Sequence, residues 1–210
     1  MTQVWGPLGW MTLHSISTIY PDNPTQDDKA ILKRFMKTFE ETISCPTCKG
    51  HFVSISNVYK SRFPSWLDSR NEFFLYICRA HNTVNARLDK PRPQTLADSL
   101  ETFKNNTVHT SASVFRQKYI QYLTQNWTKE FSGDSMMMVI LVKEMKTIND
   151  SYWNNRDDTL DSFVITQEFD VLTPIPESGD RTKVGGNIPN FAMMPNIRIG
   201  FQGGRLKLAR

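Results

Sequence analysis

Two cysteines stand two residues apart in the stretch Cys45-Pro46-Thr47-Cys48-Lys49-Gly50-His51-Phe52. Such a pair can close a small ring and pass electrons by thiol–disulfide exchange. Pro46 suits the first turn of a helix, where its missing N–H costs nothing. A sulfur at that end meets free amides and the positive pole of the helix. This favours the thiolate and draws a thiol from its usual pKa of about 8.5 toward neutrality. The same spacing is half of a zinc site, with His51 available as a third ligand. The elements around the pair must decide between these chemistries.

Those elements read as helices for the first 100 residues. Pro7 can open the first, with Trp10, Leu13, His14 and Ser17 on one face at three- and four-residue spacing. Tyr20-Pro21-Asp22-Asn23-Pro24 ends it in a turn. Thr25 and Asp28 have capping spacing before an amphipathic stripe of Ile31, Leu32, Phe35, Met36, Phe39 and Ile43. The cysteine pair opens a third helix carrying Phe52, Ile55 and Val58 or Tyr59. A fourth runs from about Asn71 to Leu88, apolar at first (Phe74, Ile77, Cys78) and polar later (His81, Asn82, Asn85). Asp89-Lys90-Pro91-Arg92-Pro93 breaks it and marks a plausible domain edge.

Beyond residue 105 the signals weaken. Ser113 to Trp127 is compatible with a helix. The apolar run Ser135 to Val142 begins a buried helix or a strand, and Phe163 to Leu172 alternates like a strand. From Thr173 onward Pro, Gly and Asn predict irregular chain. The expected fold is therefore mainly α. A four- or five-helix bundle over residues 1–100 is followed by a mixed or irregular α+β domain over residues 101–210.

Composition narrows the function. The chain has 210 residues and a net charge of +4, but Lys and Arg are spread along it, and only Arg198 through Arg210 is basic without acid. A spread surplus reads as a solvated surface, which argues against nucleic-acid binding. Three cysteines do not make a disulfide scaffold. They read as a working pair plus a core thiol, Cys78. No stretch of about 18 apolar residues is present to span a membrane. The start of the chain lacks the basic and apolar regions of a signal peptide, so a cytosol-like compartment is expected.

Two further clusters flank the cysteines: Trp5-Gly6-Pro7-Leu8-Gly9-Trp10-Met11-Thr12-Leu13-His14, and His81-Asn82-Thr83-Val84-Asn85-Ala86-Arg87-Leu88-Asp89-Lys90-Pro91. Together the three resemble the Erv/ALR family of flavin-linked sulfhydryl oxidases, marked by W-x-x-L-H, C-x-x-C-x-x-H-F and H-N-x-V-N-x-x-L-x-K-P in that order. The Tyr20–Pro24 turn matches the family's Y-P-x-x-P. The resemblance covers roughly residues 1 to 100 and implies a helical bundle holding FAD. Cys48 would be the flavin-side sulfur and Cys45 the one that substrate attacks. Gly6, Gly9, Trp10, His14, Tyr20 and His51 would lie at the cofactor, while His81, Asn82, Val84, Asn85, Arg87, Leu88 and Lys90 would line its adenine and linker.

The implied reaction moves electrons from protein dithiols through Cys45 and Cys48 to FAD and then to dioxygen, giving hydrogen peroxide. Substrates would be protein dithiols, such as a thioredoxin-like carrier or viral structural proteins. Pro7 stands where many members carry arginine, and no cysteine pair flanks the fourth motif. No second C-x-x-C is present to act as a shuttle. A minimal core with an unfamiliar second half looks most like versions encoded by large DNA viruses, which would place the chain in host cytoplasm or a virion. Family members are usually homodimers, and the apolar positions of the first two helices allow that. The rivals are a zinc-binding interaction module built on Cys45, Cys48 and His51, and a thioredoxin-like protein. The latter would need strand–helix alternation that is absent before Cys45.

Overall fold

A computed structural model describes residues 2–109, 111–130 and 135–177 of the chain. Among them are seven α-helices and one 3-10 segment, with no strand. In order they are α1 (Thr2–Ile19), α2 (Gln26–Glu41), α3 (Pro46–Arg62), α4 (Arg70–Arg87), α5 (Leu96–Thr107), α6 (Ala112–Glu130), α7 (Ser135–Ser151) and the 3-10 segment Trp153–Thr159.

Local chemistry sets where these helices begin and end. Thr25 and Asp28 form a reciprocal capping box at α2, with Thr25 N donating to Asp28 Oδ2 at 2.8 Å and Asp28 N to Thr25 Oγ1 at 3.2 Å. Thr95 and Asp98 do the same at α5, and Ser69 Oγ caps α4. At the far end of α4, Lys90 N donates to Asn85 O at 2.9 Å and Asp89 N to Ala86 O at 3.3 Å. That paired pattern is a Schellman closure, and Asp89 takes the left-handed conformation it requires, φ 51°. Pro91 follows, where the helix cannot resume.

Pro7 does not open α1. The helix starts at Thr2 and carries Pro7 within it, because a proline near a helix start forfeits only one hydrogen bond of the first turns. The alternating stretch Phe163 to Leu172 is not a strand either, since no neighbouring strand exists to pair with it among the described residues. Its alternation serves another purpose. Phe163 and Val171 are buried in a satellite core with Phe74, Leu75, Cys78, Leu96 and Leu100. The ambiguous run after Ser135 is helical, as α7. The basic tail lies outside the described residues.

The main core joins both halves of the described chain. Leu13, Ile16 and Ile19 of α1, Phe35 and Phe39 of α2, Phe52 and Ile55 of α3, and Tyr76 and Ile77 of α4 pack with Tyr119 and Leu123 of α6 and Met145 of α7. Helix α6 lies on α1, and α7 lies on α2. Arg116 of α6 is buried there and donates to Asn149 Oδ1 at 2.8 Å, to Asn154 Oδ1 at 3.2 Å and to Ser15 Oγ. The apolar positions of α1 and α2 that would permit a dimer are thus in contact with later helices of the same chain.

Residues 163–177 form a strap along α4. Its backbone groups lack a ladder of their own, and several are satisfied by side chains. Arg79 Nε donates to Asp170 O at 2.8 Å, Asn82 Nδ2 to Val171 O at 2.9 Å, and Arg92 Nη1 to Leu172 O at 3.1 Å. Ile175 N donates to Thr83 Oγ1 at 2.9 Å. Glu168 accepts from Leu96 N and Ala97 N, at the positive end of α5.

Candidate active site

Helix α3 begins at the cysteine pair. Cys45 is its N-cap residue, and the sulfur accepts from Cys48 N at 3.2 Å. Pro46 occupies the first turn as expected. Both cysteines are half-buried and unpaired as free thiols, whereas Cys78 is buried in the satellite core. Burial is the largest influence on Cys48. With the neighbouring Cys45 thiol it pushes the Cys48 pKa up to about 11, against the opposing charge of Arg87. At Cys48, loss of solvent and the Cys45 thiol act against the thiolate, and the Arg87 charge acts for it. Cys78 is likewise raised to about 12 by burial, as befits a core thiol.

One turn beyond Cys48, Phe52 stands edge-on to Trp10 of α1, with centroids 5.8 Å apart and planes at 60°. Trp10 in turn stacks on His81 of α4, 4.3 Å between centroids and 8° between planes. His14 Nε2 and His81 Nδ1 lie 3.0 Å apart and share one proton donor, while His14 Nδ1 is buried with no hydrogen-bond partner. Burial lowers the His14 pKa to about 4. Burial, His14 and Lys90 lower that of His81 well below the ordinary value. Both imidazoles are therefore neutral at pH 7. The inner end of the site is aromatic and uncharged, and its rim is basic.

The structure divides the residues singled out in the sequence. Trp10, His14 and His81 come together beside the cysteine-bearing helix, and His51 and Arg87 are joined through Glu177. Tyr20 does not join them. It is fully buried, donates to Leu67 O at 3.0 Å and packs on Phe73. Asn82 uses its amide on Pro93 O and Val171 O, which braces the strap. Asn85 reaches Pro91 O at 3.4 Å, and its carbonyl serves the helix end, so part of the fourth motif is termination chemistry. Gly9 lies where α1 is close to α2, and a Cβ there would sit 3.3 Å from Phe39 Cζ. Nothing comparable surrounds Gly6. Val84 packs against the main core, and Leu88 and Lys90 are exposed.

One functional candidate was invisible in the sequence. Glu177 accepts from Arg87 Nη1 at 2.8 Å and also contacts His51 Nδ1. It lies in a stretch that looks only irregular, and no local spacing announces it. Phe52, by contrast, was signalled by its place in the cysteine motif.

The residues present suit a flavin dinucleotide. A flat Trp10–His81 platform offers stacking area, the free Nδ1 of His14 can serve a heterocycle edge, and Arg87 and Lys90 supply cations for phosphates. A zinc site finds no such support. Among the described residues no cluster of three or more His, Cys, Asp or Glu is arranged to hold a metal ion, and His51 is engaged by Glu177.

Comparison with known proteins agrees. Residues 8–107 match the model of the Erv1 / Alr family. A protein of invertebrate iridescent virus 6, named as a candidate FAD-linked sulfhydryl oxidase, is 35% identical over 98 residues, 45% of this chain and 88% of that protein. The mitochondrial FAD-linked sulfhydryl oxidase ERV1 of Saccharomyces cerevisiae is 33% identical over 87 residues, 41% of this chain and 44% of its own length. A third relative, from invertebrate iridescent virus 3, is 29% identical over 90 residues, which is 43% of this chain and 60% of that protein. The chain thus spans less than two thirds of the last two relatives. No solved structure matches it. The chain belongs to the Erv1/Alr family.

Proposed function

We propose that this protein is a FAD-dependent thiol oxidase that forms disulfide bonds in protein substrates. The observation that carries the reading is the cysteine pair at the start of α3, one helical turn from the Phe52–Trp10–His81 aromatic platform. Trp10, His14, His81, Arg87 and Lys90 would hold the cofactor. Bound FAD would supply the two-electron acceptor that reoxidises the pair and returns the electrons to dioxygen as hydrogen peroxide.

The chain's own part is thiol exchange. A substrate thiolate attacks the Cys45 sulfur of the Cys45–Cys48 disulfide, forming a mixed disulfide and releasing Cys48 as thiolate. The second substrate thiolate then attacks the substrate sulfur of that mixed disulfide. Cys45 leaves as thiolate, the substrate departs with its new disulfide, and the pair holds two electrons. Cys45, as N-cap, is placed so that the amides of the first turn meet its leaving charge. Cys48 packs against the main core, to which Phe52 belongs and on which Trp10 also packs.

Residues 1–100 would form the oxidase domain, and residues 101–210 an extension whose helices brace it. Among the described residues no helix is long and apolar enough to cross a membrane. Viral relatives favour a viral protein acting in host cytoplasm or in the virion on viral structural proteins or a thioredoxin-like carrier. A homodimer of this chain would have to use a face other than the one of α1 and α2 that α6 and α7 meet. The test is a visible flavin band in the purified protein, with dithiothreitol-driven oxygen uptake that disappears in both Cys45→Ser and Cys48→Ser. A colourless protein, or undiminished uptake in either variant, would refute the reading.

A further inference from the structure

Glu177 reaches the dithiol site from far along the chain. Its Oε1 accepts from Arg87 at the end of α4, and its Oε2 meets His51 on α3. His51 is one turn after Cys48, so the two side chains share a helix face. Arg87 is near enough for its charge to act on the Cys48 thiol. One carboxylate therefore joins the His51 ring, one turn from Cys48, to the Arg87 guanidinium, and neither helix provides it.

A purely structural account of Glu177 is weak. The three side chains are each about a third exposed, at 34% for His51, 32% for Arg87 and 30% for Glu177. Ion pairs so open to solvent add little to stability. The strap is also held without it, through Asn82, Thr83 and Arg92 and through burial of Val171 and Ile175.

We propose that Glu177 is a positioning residue of the dithiol site, fixing His51 and Arg87 and balancing the Arg87 charge beside Cys48. The proposal rests on reading Cys48 as the flavin-side sulfur. The charged and titratable groups around that sulfur are Cys45 at the helix start, His51 on α3, Arg87 on α4, Glu177 on the strap, and the Lys49–Glu41 pair between α3 and α2, joined at 2.6 Å. With Lys49 already matched by Glu41, Glu177 is the carboxylate that pairs with Arg87, the cation whose charge reaches Cys48.

Removing that negative charge leaves Arg87 less compensated and favours the Cys48 thiolate. The test is iodoacetamide alkylation of Cys48 against pH in the full-length Cys45→Ser protein, read by peptide mass spectrometry. Glu177→Gln, which keeps shape and hydrogen-bonding capacity, should raise the rate below the thiol pKa about three- to tenfold, a shift of about half to one pKa unit. Glu177→Asp should restore the wild-type profile. Glu168→Gln, which removes a carboxylate from the same strap at the α5 end, should leave the profile unmoved. An unchanged or slower rate in Glu177→Gln, or an equal change in Glu168→Gln, would overturn the proposal. Melting temperatures near that of the parent protein establish that each variant is folded. The oxidase reading is judged separately, by the flavin band and oxygen uptake of the chain with both cysteines intact.

Discussion

Acidification should destabilise this fold through His14 before any carboxylate contributes. His14 is buried, hydrogen-bonded to His81 and held neutral, with its pKa lowered from 6.5 to about 4 by loss of solvent. The unfolded chain binds a proton there in the window between those values and the folded chain does not, so stability falls as pH drops from 6.5 toward 4. Between about pH 7 and pH 5 this one group removes about 2 kcal/mol, which corresponds to about 4–8 °C in melting temperature for a domain of this size. His81 is shifted in the same direction and adds to the effect. Asp28 behaves differently. Burial raises its pKa, but hydrogen bonds from Tyr152 and Thr25 and the charge of Arg156 prevail and hold it below 3.8. Its contribution is present above that value and is lost only at lower pH. Urea denaturation at the two pH values, for wild type and for His14→Phe with His81→Phe, separates the causes. The double variant should lose most of the pH 7 to pH 5 decrement. Equal decrements in the two proteins would refute the assignment to the histidine pair.

Three further outcomes follow from the geometry. Arg116→Met should cost about 3 kcal/mol in urea denaturation, because it strips donors from buried Asn149 and Ser15. Asp28→Ala should cost about 2 kcal/mol by the same assay, since it breaks the α2 capping box and the contacts to Tyr152 and Arg156 together. Trp10→Ala should weaken flavin retention about tenfold, a loss of about 1.4 kcal/mol, measured by the flavin remaining after dialysis, because half of the stacked platform is removed.

The sequence by itself determined the first four helices in outline and the chemistry of the cysteine motif. The cysteine spacing with Pro46, the Thr25–Asp28 cap and the stripes of α2 and α3 are local features, written within one or two helical turns, where the 3.6-residue period fixes which side chains share a face. The motif order was enough to name the family. Tertiary structure decided which of those side chains actually meet. It seated Tyr20 in the core, gave Asn82 to the strap, laid α6 and α7 on α1 and α2, and brought Glu177 to His51 and Arg87 across 126 and 90 residues of chain. It also set the burial of Cys48, a property of the packed molecule that acts to raise its pKa. Contacts of that range have no periodic signature. They exist because an irregular segment must satisfy its backbone and bury Val171 and Ile175, and α4 offers the polar and apolar groups that do both.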